Sequence, residues 1–133
     1  MRIAALFLSL VLAGCSNASG QADGLESRLP RASQGLCDAQ VLVARSNVPG
    51  AAAVFDAEVH GFLHELAAAV QRTDRAAAGA LLEAKQRVER VFQDPVRADP
   101  QDAAVLLTEL QRALGGAAEA AGLPTPLCRE GAT

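Results

Sequence analysis

His60 and His64 are the chain's two histidines, and they stand four residues apart. On a helix that spacing puts both rings on one face, about one turn apart, where two imidazole nitrogens can reach one metal ion. Asp56, one turn earlier, could add an oxygen. Imidazole suits Cu(II), Zn(II) and Ni(II) alike. Two histidines do not close a site, however, because structural zinc takes four ligands. Gly61 follows His60, so the HExxH pattern and its glutamate base are missing. The competing reading is a pair of surface histidines packed against the first helix or the C-terminal tail.

No other constellation points to catalysis. There is no GxSxG and no glycine-rich phosphate loop after a strand. Glu58 and Glu65 are seven apart and share a helix face, whereas glycosidase chemistry sets two carboxylates across a cleft. No enzyme is expected. Across 133 residues the formal charge is −3, and the bases are scattered. Nucleic-acid binding shows instead as a clustered basic footprint, so no nucleic acid is expected as a partner.

The opening stretch reads as an address. Arg2 supplies a positive charge, Ile3 to Leu12 run apolar except for Ser9, and small residues follow. A bilayer-crossing helix takes roughly 20 apolar residues, more than this run contains. A charged start, a short apolar run and small residues at the cut describe a secretory signal. Leu12-Ala13-Gly14-Cys15 closes the run and resembles the lipobox of bacterial lipoproteins. That resemblance implies cleavage before Cys15 and a diacylglyceryl group on its thiol. The anchor would lie on the outer face of the plasma membrane, or on the outer membrane of a diderm. Each buried methylene is worth about 0.8 kcal/mol, and two chains hold stably where one holds marginally. The competing reading is an ordinary signal peptide with Cys15 a chance thiol.

With Cys15 assigned to lipid, Cys37 and Cys128 remain. Two leftover thiols in an exported chain usually pair, because that compartment is oxidising. A Cys37–Cys128 bond would close a loop of roughly 90 residues, worth about 4–5 kcal/mol in the chain-entropy model. Free or metal-bound thiols are the alternative, but no CxxC spacing supports a metal.

Residues 15–33 are polar and rich in Gly, Ser and Asn, and read as a flexible tether with a reach of about 20–25 Å. Four helical segments are expected after it. The first covers roughly Gln34 to Ser46, capped by Ser33, with Cys37, Val41, Ala44 and Val48 on one side. The second runs from Pro49 or Gly50 to Arg72, with a stripe of Phe55, Val59, Phe62, Leu63, Leu66 and Val70. Counting 100° per residue places His60 and His64 off that stripe, on the outer or lateral face. The third runs from Asp74 to about Gln93 on Leu81, Val88 and Phe92, with Glu83–Arg87 and Lys85–Glu89 as flanking ion pairs. The fourth begins at Asp99-Pro100 and uses Ala103, Leu106, Leu107, Leu110, Leu114, Ala117 and Ala121. Gly115-Gly116 should weaken or bend it, and Gly122 should end it.

The stretch from Phe55-Asp56 through His60-Gly61-Phe62-Leu63-His64-Glu65-Leu66-Ala67 to Ala84-Lys85-Gln86-Arg87-Val88-Glu89 resembles secreted helical proteins of actinobacteria. That resemblance implies no particular activity. The expected architecture is all-α: a small antiparallel bundle of about four helices over residues 34–133 with one disulfide, preceded by a signal (1–14) and a tether (15–33). The expected function is a membrane-anchored binding or interaction module with an envelope protein as partner. The alternative is a Cu- or Zn-binding lipoprotein using His60, His64 and Asp56.

Overall fold

The computed structural model describes residues 17–128, with side chains from residue 24 onward. The signal segment and Cys15 lie outside the described residues. Helix α1 covers Asn17–Ala44, α2 Val48–Val54, α3 Gly61–Val70, α4 Arg75–Phe92 and α5 Pro100–Ala120. A π-helical segment, Phe55–His60, joins α2 to α3. The backbone stays right-handed helical at both junctions, so α2, the π segment and α3 form one rod. Four rods result, and no strand occurs among the described residues. They pack as an antiparallel cycle: α1 on α2–α3, α3 on α4, α4 on α5 and α5 back on α1. No helix among the described residues is long and apolar enough to cross a membrane.

The helix ends follow from local chemistry. Asn47 accepts a hydrogen bond from the Gly50 N–H at 3.0 Å, and Asp74 accepts one from Ala77 at 2.9 Å. Asp99 accepts from Gln101 at 2.7 Å, with Pro100 in the first turn, where its missing N–H costs nothing. Helix α5 stops at Gly122, whose φ of 69° is left-handed, while Leu123 and Gly122 donate back to Ala118 and Glu119. The same paired closure ends α1, with Ser46 at φ 58° in the position that usually takes glycine. Gly115 and Gly116 do not break α5, which is helical throughout.

The expected tether is corrected. Residues 17–33 are helical, and Leu25, Leu29, Ala32, Leu36, Ala39 and Val43 are all buried. Their spacing of four and three is a heptad seam, and that seam gives α1 a reason to pack. Pro30 is tolerated because it lies on the exposed side of the helix. Ser33 is a buried mid-helix residue, not a cap. The face expected on the first helix holds only in part: Cys37 and Val48 are buried. Val41 and Ala44 are exposed, and Leu36, Ala39 and Val43 point inward instead.

The other stripes lie where the periodicity puts them. Phe55, Val59, Phe62, Leu63, Leu66 and Val70 are buried, as are Leu81, Val88, Leu107, Leu110 and Leu114. Between α1 and the π segment the rods come very close. A Cβ built on Gly35 would stand 2.7 Å from the Glu58 Cβ and 3.1 Å from a Val59 methyl.

The chain beyond α5 runs back over α1. Cys37 and Cys128 are joined, with Cα atoms 5.6 Å apart. Ser33 Oγ donates to the Leu127 carbonyl at 3.4 Å, Gln111 Nε2 lies 3.5 Å from the Cys128 sulfur, and Pro126 is buried. These contacts make residues 123–128 a strap across the seam between α1 and α5.

Candidate functional site

His60 is the last residue of the π segment, and His64 follows one turn later in α3. Each π-type turn takes about one residue more than an α turn, yet Phe62, Leu63, Leu66 and Val70 beyond it still lie on the buried face. His60 lies on the lateral face against α4 and His64 is exposed, as the spacing predicts. The two Nε2 atoms lie 3.2 Å apart, with ring centroids at 5.0 Å. Phe55 stacks against His60 at 6.4 Å and meets Phe92 edge-on at 5.6 Å, which fixes the inner side of the imidazole.

Helix α4 adds two residues that sequence reasoning had placed on a solvated flank. Glu89 Oε1 is 3.2 Å from His60 Nε2 and 2.5 Å from Lys85 Nζ. The Lys85 side chain is only 4% exposed. An ammonium so deeply buried persists only with a charged partner, and Glu89 is that partner. Lys85, Glu89, His60 and His64 therefore form one polar chain from the α3–α4 seam to solvent. The i,i+4 spacing of Lys85 and Glu89 was visible in the sequence; its burial was not, because Lys85 occupies a position between Leu81 and Val88 on the inner stripe.

Asp56 does not join His60 and His64 as a shared metal ligand. Its Oδ1 lies 3.5 Å from His60 Nδ1, whereas His64 faces Nε2 on the other edge of the ring. One ion cannot meet Asp56 and both histidines in this arrangement. Among the described residues, no group of three or more His, Cys, Asp or Glu is placed to hold a metal ion.

Two arginine–glutamate pairs lock α1 to the opposite side of the same rod. Arg28 grips Glu65 through both guanidinium nitrogens, one of them at 3.1 Å, and lies 5.9 Å above the Phe62 ring. Arg31 grips Glu58 in the same two-pronged way, with one bond at 2.9 Å. Paired hydrogen bonds of this kind fix orientation as well as charge. They hold both glutamates below the ordinary carboxylate range, chiefly because the arginine donates to the ionised form. On α4, the expected Glu83–Arg87 pair is replaced by Arg87–Glu109 at 3.0 Å, which ties α4 to α5.

The glutamate pairs carry a pH prediction. A carboxylate depressed on folding takes up protons more readily when unfolded. Its stabilisation is complete above the ordinary glutamate value of about 4.3 and is lost as pH falls through the lower folded value. Thermal midpoints followed by circular dichroism should therefore hold steady from neutrality to about pH 5 and fall below about pH 4. The Glu58→Gln/Glu65→Gln double variant should show a shallower acid limb, and an unchanged limb would remove these pairs as its cause.

No protein-family model, curated protein or solved structure matches the chain.

Proposed function

We propose that this protein is an exported lipoprotein, held at a membrane by lipid on Cys15, whose helical bundle acts by binding an envelope partner and not by catalysis. The observation that carries the reading is the run Leu12-Ala13-Gly14-Cys15 at the end of a short apolar segment. Small residues before a cysteine give processing enzymes an accessible, extended cut site. The acidic balance, with a formal charge of −3, fits a surface module better than a nucleic-acid binder.

The early start of α1 adds to this reading. Asn17, the first described residue, is helical and lies two positions after Cys15. The first described core residue, Leu25, comes eight positions later, about 12 Å along a helix axis. The bundle would stand on a short helical stem instead of swinging on a long flexible lead. Its partner would meet a surface of fixed orientation close to the headgroups.

Cys15→Ala should move the chain from the membrane fraction to the soluble exported fraction. Mass spectrometry of the wild-type N-terminal peptide should find an acylated Cys15. Retention of Cys15→Ala on the membrane would overturn the anchor.

A further inference from the structure

We propose that His60 and His64 form a two-imidazole clamp for a divalent transition-metal ion of the zinc class, with Asp56 orienting His60 from outside the coordination shell. This goes beyond the anchored-module reading and stands independently of it.

The distance between the two nitrogens is the first ground. Zinc binds imidazole nitrogen at about 2.0–2.1 Å, so two nitrogens on a tetrahedral ion are about 3.3 Å apart. His60 Nε2 and His64 Nε2 already stand 3.2 Å apart. Both belong to one continuous helical rod, so no helix has to move to bring them together. His64 is exposed, which leaves the ion a route in from solvent.

The surroundings of His60 are the second ground. A metal-bound histidine generally donates its other ring N–H to a carboxylate, which fixes the tautomer and aims the free lone pair at the ion. Asp56 Oδ1 is 3.5 Å from His60 Nδ1. A hydrogen bond across that contact would hold the proton on Nδ1 and leave Nε2 free for the ion. On the Nε2 side, Glu89 Oε1 at 3.2 Å supplies negative charge. Lys85 holds that same oxygen at 2.5 Å, so Glu89 acts as a neighbouring charge and is not a free ligand.

The backbone is the third ground. π turns are rare and gather at functional sites. This one ends on His60, whose ring meets both Glu89 and His64. With no third His, Cys, Asp or Glu placed to complete the shell among the described residues, the ion keeps water in its remaining positions. An open shell of this kind suits reversible holding of an ion better than structural locking.

The test uses the untagged full chain in a Cys15→Ser background, which excludes chelation by a free thiol and removes dependence on the anchor. Zinc(II) is titrated by calorimetry at pH 7.5, and melting is followed by circular dichroism with and without the metal. One zinc per chain and a metal-dependent rise in the melting midpoint are expected. His64→Ala should weaken binding about a hundredfold by removing half of a linked pair. Because His64 is exposed, the metal-free variant should melt as the parent does. Asp56→Asn should weaken binding about tenfold, the scale of an outer-shell partner. Absence of zinc binding in the parent, or equal affinity in His64→Ala, would overturn the clamp. A loss in Asp56→Asn as large as that in His64→Ala would overturn the outer role given to Asp56.

Discussion

Replacing both Cys37 and Cys128 with serine is expected to lower stability by about 4–5 kcal/mol, the largest single effect in this molecule. The bond spans a sequence separation of 91, so in the unfolded chain it removes much of the freedom that folding must otherwise overcome. Globular domains retain only about 5–15 kcal/mol in total. The loss is therefore a large fraction, equivalent to roughly 15–20 °C in melting midpoint for a domain of this size. The strap adds to the effect. Without the bond, Pro126 has less to hold it in place, and Ser33 loses its tie to the Leu127 carbonyl. Urea unfolding followed by circular dichroism, with and without reductant, measures the effect. Coincident curves would mean that the cross-link does not form in solution.

Leu29→Ala is expected to cost about 3 kcal/mol, within the range for emptying a buried leucine site. Leu29 is 3% exposed and follows Leu25, at 4%, on the inner seam of α1. A flexible lead would put the cost of the same substitution near zero, so the measurement decides between the two descriptions of residues 15–33. Ser27→Ala on the exposed side of the same helix is the control, and its effect should stay within about 0.5 kcal/mol. Equal midpoints for Leu29→Ala and Ser27→Ala in urea would return this segment to the status of a lead.

The fold class, the two long stripes and the two aspartate caps were legible because each rests on a local rule. Phe55 to Val70 repeat at helical spacing, and Asp74 and Asp99 stand where orphan N–H groups need an acceptor. What escaped was the part of α1 before Gln34. Its seam alternates leucine with alanine, and the intervening Gly, Ser and Pro give the segment the composition of a linker. The heptad Leu25, Leu29, Ala32, Leu36 was present in the sequence, but periodicity carries the signal there and composition hides it. The candidate site escaped for another reason. The i,i+4 spacing of His60 and His64 was plain, yet the contact of His60 with Glu89 is made between two rods. No rule of spacing within one helix could pair His60 with a residue on α4.

The bond between Cys37 and Cys128 also decides how this bundle answers a pull. Every residue from α2 through α5 lies inside a covalently closed ring. Tension applied from the N-terminal side, where a lipid on Cys15 would transmit it, can draw out only the part of α1 that precedes Cys37. At about 3.5 Å per extended residue against about 1.5 Å in the helix, the stretch from Asn17 to Cys37 lengthens by about 40 Å before the ring bears the load. The protein would then act as a tether with a built-in stop: its first half-helix peels away, and the remaining rods stay knotted together by a single sulfur–sulfur link.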